Sequence, residues 1–454
     1  MSMCEHMRDR RVVVAGAGYA GLTASILLDG RVGLTLIDRK GYHEMLTRAH
    51  LVAGGIEGVE EDVVPLNQII KGRHSSVITA NVKSINLNER RVSVSVAGRD
   101  DECEDVYYDY LILALGSEVN DHGVRGVREH AIPFRSMKDA LNINQRLKRI
   151  GDGARVAIVG AGATGISLAG ALAEGFGRRR RIRITVIDAL DDILHGWDGY
   201  IVSRVRELLE GDGVEILTGR KVVEVGDGYI VLEDGRLSSD MVIWAAGVRG
   251  SSVELVPEVK RVNGGRIAVD AFARVEGYDD AFAVGDISAL RVGDGGYAPQ
   301  LAQSAVRQGY MVARNLLKSM DGMAMSPIAY RKQGEIISIG SRCVGSVYGM
   351  RMDGELCRYV EEFIAYNYRR MLQGDGSALL AYEDDPVSAA LTFSRALSYV
   401  SARYMLSVLS RLYGLYATSM EGSIGSSSKR GGGSSSSMCG FMHSCLEMIN
   451  RHGR

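Results

Sequence analysis

One arrangement of glycines, placed twice in the chain, constrains the fold more than any other feature. Residues 11–38 read RVVVAGAGYAGLTASILLDGRVGLTLID. Val12, Val13 and Val14 predict a short apolar strand, Gly16, Gly18 and Gly21 form GxGxxG, residues 22–28 continue as a helix, and a second strand over 34–37 ends on Asp38. Strand, glycines, helix, strand and acid in that order make a βαβ unit built around a dinucleotide. Gly16 permits the tight turn, Gly18 lets backbone approach a pyrophosphate, and Gly21 lets helix and strand pack closely. The helix N-terminus offers its N–H groups to the anion, and Asp38 is placed to accept from a ribose hydroxyl. The pattern returns from Val156 as VAIVGAGATGISLAGALAEG, with Gly160, Gly162 and Gly165, and a strand over 182–187 ends on Asp188. A lone GxGxxG is weak, but two complete units predict an α/β fold with two Rossmann-like dinucleotide-binding domains. A carboxylate at position 188 repels a 2′-phosphate, which favours NAD(H) over NADP(H) at the second site.

The segments between these units read as their supports. Residues 40–55, GYHEMLTRAHLVAGG after Lys40, predict a loop followed by a helix carrying His43 and His50. Either histidine alone reads as a packed or solvent-facing residue rather than a ligand. Residues 77–96 alternate in period two, and with 107–113 they predict a β-meander returning to the parallel sheet. That return ends on Gly116, where a buried strand brings backbone to a ligand, and residues 240–248 repeat the ending at Gly247. Residues 281–286, AFAVGD, close the first domain on Gly285 and Asp286, an ending suited to a flavin's ribityl or phosphate groups. The basic run 178–181 precedes its strand, so it falls at the end of the sheet away from the ligand crevice and reads as a solvated or membrane-facing edge.

A formal net charge of −1 argues against a nucleic-acid partner, which would call for a basic surplus. Six cysteines scattered over 454 residues do not make a secreted disulfide framework, so a reduced intracellular setting is expected. The start of the chain has no apolar h-region, and no run of 18 uncharged apolar residues occurs. No cysteine or histidine spacing predicts a metal site.

With these motifs in hand, the chain resembles the FAD-dependent pyridine nucleotide-disulfide oxidoreductase superfamily. Within it, the resemblance over roughly residues 10–340 is to type II NADH:quinone oxidoreductases. Tyr42-His43, Thr47, His50 and Gly55 match that family's motif after the second strand, and residues 298–309, APQLAQSAVRQG, match the helix running beneath the flavin ring. The resemblance implies FAD held by Gly16, Gly18, Gly21, Asp38, Thr47, Gly116, Gly285, Asp286 and Ala302. It implies NAD(H) held by Gly160, Gly162, Gly165, Asp188 and Gly247, and a quinone as acceptor. It implies FAD-domain pieces at 1–120 and 266–330, an NAD(H) domain at 121–265 and an interface region at 331–420. A Gly/Ser-rich linker at 421–437 and a short terminal helix at 438–454 would follow. Catalysis would require positioning and water exclusion rather than a protein nucleophile, with Gln303, Arg307 and Gln308 on the acceptor side. Two positions depart from the family pattern. Ser167 stands where many members carry glutamate, and Arg307 stands where AQxAxQ has its second glutamine. A fixed cation there would stabilise a reduced, anionic acceptor, whereas a surface-pointing helix arginine is the alternative.

The cysteines separate this reading from its neighbours. Residues 5–102 contain none, which removes the early cysteines of disulfide and CoA-disulfide reductases. Sulfide:quinone oxidoreductases remain as an alternative if Cys343 lies near the flavin, and a free buried cysteine is the ordinary reading of that residue. A redox-sensing flavoprotein that binds NADH without turnover is a second alternative. Residues 394–416 predict a helix with Met405, Val408, Leu409, Leu412, Leu415 and Tyr416 on a wide apolar face and Arg403 and Arg411 on the rest. Such a helix suits a peripheral seat on the cytoplasmic face of a membrane, with packing on the chain's own core or on the partner in a homodimer as alternatives.

Overall fold

In the computed structural model the protein is described over residues 9–96, 103–177, 180–293, 295–330, 332–382 and 386–424. The opening unit forms as β1 (Arg11–Ala15), α1 (Tyr19–Leu28) and β2 (Gly33–Asp38), with β1 and β2 parallel and Val13 opposite Thr35. Residues 40–55 form the expected loop and then a helix, with added structure in the loop. Tyr42–Glu44 first forms a short strand and Leu46–Arg48 a 3₁₀ turn, and only then does α2 (Ala49–Gly54) begin. The predicted meander is β3 (Ser75–Asn86), β4 (Arg91–Val96) and β5 (Cys103–Tyr107), antiparallel in sequence, after which β6 (Tyr110–Leu113) returns parallel to β1. Val12, Val14, Leu36, Ile37, Leu111 and Ile112 are all at or near zero exposure, because helices and loops cover both faces of the parallel strands. Each such side chain contributes about 1.5–3 kcal/mol by leaving water.

The second lobe repeats this design. Its elements are β7 (Ala131–Pro133), α3 (Met137–Arg149), β8 (Arg155–Val159), α4 (Ala163–Leu172), β9 (Arg183–Ile187), β10 (Glu215–Leu217) and β11 (Met241–Trp244). They form one parallel sheet in the order β7-β11-β8-β9-β10. The chain enters this lobe through Ser117–Val119 and leaves through Val248–Gly250, and these two segments pair antiparallel, Val119 opposite Val248.

The return to the first sheet comes ahead of the boundary expected at 265. The strand β12 (Glu254–Val256) already pairs with β3, and β13 (Ala281–Ala283) then extends the sheet to β13-β6-β1-β2-β3-β4-β5. The helix α5 (Ala302–Met320) crosses α1 so closely that a Cβ on Gly309 would lie 2.0 Å from the Ala20 carbonyl oxygen. Three antiparallel strands follow, β14 (Gly334–Ile339), β15 (Arg342–Val347) and β16 (Met350–Asp353), then α6 (Gly354–Leu372). Cys343 is neither free nor open to a ligand: it is bonded to Cys357, tying β15 to α6, and both are buried. This cross-link corrects the expectation of a free buried cysteine at 343.

Residues 1–400 form one compact unit and the chain from Ser401 a second. The helix expected at 394–416 is α7 (Pro386–Ile424), which begins earlier and runs past the expected start of the linker at 421. In the first unit its Val387, Leu391, Phe393 and Leu397 are exposed, and in the second Tyr404 and Met405 are exposed. The side chains of residues 408–416, most of the expected apolar face, lie outside the described residues, as do the rest of the linker and the terminal helix. No described helix is long and apolar enough to cross a membrane.

Candidate active site

The ends of β1, β2, β6 and β13 build the first cradle. Gly16 sits at φ +104°, and a Cβ on it would lie 2.3 Å from the Ala114 carbonyl oxygen, so no other residue fits the turn. A Cβ on Gly21 would lie 1.9 Å from the Gly16 carbonyl oxygen; this glycine seats helix against loop as much as against strand. A Cβ on Gly18 would meet nothing within 4 Å. The middle glycine therefore faces open space at the start of α1, as a dinucleotide pyrophosphate requires. Asp38 has a part beyond a ribose contact. Its Oδ2 accepts from Ala17 N at 2.9 Å and its Oδ1 from Lys40 N at 2.8 Å, so it pins the glycine loop to the end of β2. Each oxygen keeps a second lone pair for a sugar hydroxyl.

Across the cradle, Gly116 also faces open space, and Asp286 follows Gly285 at the end of β13. Ser117 Oγ donates to Asp286 Oδ2 at 2.6 Å and accepts from Arg135 Nη2 at 3.0 Å. Arg135 belongs to the second lobe, so a cation from one lobe reaches the dinucleotide end of the other. Sequence reading missed it, although a signal was present in Ser136 and Asp139: Ser136 Oγ accepts from Asp139 N at 3.1 Å and caps α3, and Asp139 Oδ2 accepts from Arg135 N at 3.0 Å.

The second cradle copies the first nearly atom for atom. Gly160 has φ +111° and would clash with Ala245, Gly165 would clash with the Gly160 carbonyl oxygen at 1.9 Å, and Gly162 is open. Asp188 Oδ2 accepts from Ala161 N at 2.6 Å and Oδ1 from Leu190 N at 2.8 Å. Gly247, at φ +107° beyond β11, occupies the position that Gly116 holds in the first cradle. The basic run is not wholly a solvated edge. Arg180 donates to the carbonyl oxygens of Leu147, Lys148 and Ile150 and so closes the C-terminal end of α3, while Arg178 and Arg179 lie outside the described residues.

Between the first cradle and the C-terminal strands lies the remaining machinery. The Tyr19 hydroxyl accepts from Thr47 N and shares a contact with Thr47 Oγ1, both at 3.2 Å, and burial pushes its pKa up to about 12. His43 and His50 are buried, and burial lowers their pKa values to about 4 and about 3, so both are neutral. Ala302 opens α5, and one turn into that helix is a small pocket lined by Gln303, Ser304, Arg307, Tyr330, Gln333 and Tyr382. Gln303 Nε2 donates to Gln333 Oε1 at 2.9 Å at its exposed rim. Arg307 does not point to the surface: it is 7% exposed, and its Nε donates to the Ala329 carbonyl oxygen at 2.9 Å. Gln308 has another task than an acceptor-side one. Its Oε1 accepts from Gly285 N and its Nε2 donates to Ser304 Oγ, both at 2.9 Å, so the amide fastens α5 to the loop that carries Asp286. Ser167 lies on α4 of the second lobe. Cys343, held in its disulfide, offers no thiolate.

The chain is 29% identical over 387 residues to a type II NADH:quinone oxidoreductase of Staphylococcus haemolyticus, an alignment covering 78% of this chain and 94% of the relative. Its fold is similar to that of NDH2 from Plasmodium falciparum in complex with NADH, with a TM-score of 0.72 at 15% identity over 81% of this chain and 97% of that one. It is also similar to the sulfide:quinone oxidoreductase of Aquifex aeolicus, with a TM-score of 0.69 at 17% identity over 81% and 92%. The family model for pyridine nucleotide-disulphide oxidoreductases matches residues 10–309, the span that holds both cradles and the first turns of α5, and the chain belongs to that family.

Proposed function

We propose that this protein is an FAD-dependent NADH:quinone oxidoreductase of the type II kind, one that moves electrons without moving protons across a membrane. The observation that carries the reading is the pair of complete cradles, each with an open middle glycine and an acid pinning its loop. Relatives that bear this activity in their names and align over 94% of their own length support it. The first cradle fits FAD, because Gly18 and Gly116 leave open space where backbone would face a dinucleotide and Asp286 closes the site with Ser117 and Arg135 behind it. Bound FAD would supply the two-electron exchange between NADH and a quinone.

The protein's own share is to hold the reactants and exclude water. The second cradle binds NADH through its glycine loop, and Asp188 repels a 2′-phosphate. A quinone head would sit against Gln303, Arg307, Tyr330 and Tyr382, whose small pocket must widen to admit its ring, with the guanidinium of Arg307 stabilising negative charge that develops there. Exposed apolar side chains along α7, Val387, Leu391, Phe393 and Leu397, suit a peripheral seat on the cytoplasmic membrane face, from which a lipid-soluble quinone is reached. Flotation with lipid vesicles tests this seat: a chain ending at residue 390 that still floats with them would refute it.

Anaerobic bleaching of the flavin absorbance tests the activity. Fast bleaching by NADH, little by NADPH, and recovery on adding a quinone are the expected results. Bleaching by sulfide and not by NADH would overturn the reading, as would NADH binding without turnover.

A further inference from the structure

Helix α6 belongs to the C-terminal part of the chain, yet one of its side chains ends at the first glycine loop. The Tyr368 hydroxyl lies 3.0 Å from His43 Nε2, and His43 Nδ1 lies 2.9 Å from the carbonyl oxygen of Ala17. A carbonyl oxygen only accepts, so Nδ1 carries the ring's hydrogen. The buried ring is neutral, Nε2 is therefore the acceptor, and Tyr368 is the donor. His43 is 2% and Tyr368 5% exposed, so water does not substitute for either partner.

Ala17 stands between Gly16 and Gly18. Its N–H is held by Asp38 and its carbonyl by His43, so both of its backbone groups are fixed. In a trans peptide the carbonyl of one residue and the N–H of the next point in opposite directions. Drawing the Ala17 carbonyl toward His43 therefore turns the Gly18 N–H the other way. That N–H meets no acceptor among the described residues, and Gly18 is the position where a Cβ would find only open space. Around the relay, the Tyr19 ring lies edge-on to His43 with centroids 5.2 Å apart and 5.1 Å from Tyr368. Arg369, the next residue of α6, binds Asp62 at 2.9 Å, and the Asp62 carbonyl accepts from Met45 N. The helix is thus seated on the segment that carries His43.

We propose that Tyr368 and His43 are positioning residues of the first dinucleotide site, through which α6 sets the peptide that faces the pyrophosphate. This deepens the FAD reading of the first cradle and rests on it. It gives the C-terminal region a second task, retention of the cofactor, in addition to shaping the acceptor side.

The test uses full-length protein stripped of flavin and re-titrated with FAD, with binding followed by quenching of flavin fluorescence. Tyr368→Phe removes one hydroxyl and should raise the FAD Kd about 5- to 10-fold, the worth of one buried hydrogen bond. His43→Leu removes both links and should raise it at least 30-fold. His43→Asn, whose amide N–H still reaches toward the Ala17 carbonyl, should bring the Kd back to the Tyr368→Phe level. NADH affinity at the second cradle should stay within twofold in all three. A purely structural role would lower the thermal midpoint of the flavin-free protein and leave the FAD Kd of folded protein unchanged, and that outcome overturns the proposal. If Tyr368→Phe fails to fold, the contrast between His43→Leu and His43→Asn decides in the same way, equal Kd values refuting it. Wild-type protein that takes up no FAD would refute the flavin reading itself, a result distinct from wild-type binding that the variants leave unaltered.

Discussion

Acidification should destabilise this protein well above the pH at which its carboxylates titrate, and His43 makes the effect measurable. In the unfolded chain a histidine binds a proton near pH 6.5, whereas burial holds His43 unprotonated until about pH 4. A depressed histidine pKa means that the unfolded state takes up the proton first. Stability is then complete above about pH 6.5 and falls as pH drops toward 4. At about 1.36 kcal/mol per unit, the interval from 6.5 to 5 removes about 2 kcal/mol through His43 alone. His50, lowered to about 3 with its Nε2 buried and without a partner, adds a similar loss over the same interval. Unfolding free energies from urea titrations between pH 7.5 and 5 give the slope. The His43→Asn variant removes one of the two titrating rings, so wild type should lose about 2 kcal/mol more than the variant across that range. Equal slopes would show that His43 takes up its proton in the native protein near pH 6.5, as in the unfolded chain, and would refute the reasoning that burial beside Tyr368 holds the ring neutral down to about pH 4.

The cradles make a sharp pair of predictions. Gly18→Ala should leave the thermal midpoint of the flavin-free protein nearly unchanged and weaken FAD retention at least 10-fold, because the added methyl enters only the open space. Gly21→Ala, with its methyl 1.9 Å from the Gly16 carbonyl oxygen, should cost about 3 kcal/mol or more in stability, read from the same melting curves. Asp188→Ser should raise kcat/KM for NADPH relative to NADH by about 10-fold or more, as expected when a carboxylate no longer opposes a 2′-phosphate. An unchanged ratio would move nucleotide choice elsewhere. Arg307→Gln should lower kcat/KM for quinone about 10-fold while the rate of flavin bleaching by NADH is preserved; loss of both would make Arg307 a structural residue of α5.

What the chain declares locally is what its backbone period and glycine spacing encode. Both βαβ units, the meander and the strand endings at Gly116, Gly247 and Gly285 follow from short-range patterns, and each formed within a few residues of its expected place. Local spacing also fell short. The loop expected after Lys40 holds a short strand, Tyr42–Glu44, ahead of its helix, because that segment finds a strand partner in Val63–Pro65, a tertiary pairing that no window of sequence contains. Gln308 looked like an acceptor residue by adjacency to Arg307, but adjacent positions on a helix point about 100° apart, and its amide meets Gly285 instead. Tyr368 and His43 are 325 positions apart, so their roles had no local sign; for Arg135 the Ser136–Asp139 cap marks the helix start locally, but its reach to Ser117 in the other lobe does not. Cys343 pairs with Cys357 across a hairpin and a helix start, a closure that composition alone does not reveal.

The pairing of Ser117–Val119 with Val248–Gly250 has a consequence for how such a chain tolerates change. Exit and re-entry lie side by side, about 5 Å apart as in any antiparallel pair, with Ser251 N donating to the Gly116 carbonyl oxygen just beyond. Seen from the first sheet, the whole lobe that binds the second nucleotide is the turn of a hairpin. Its interior can lengthen, shorten or be exchanged for another nucleotide-binding module without moving the ends to which the first sheet is attached, and the cost of closing the connection stays that of a short loop. Modularity of this kind lets one flavin scaffold take up a different nucleotide-binding lobe while the first sheet and the parts of the chain that follow it stay as they are.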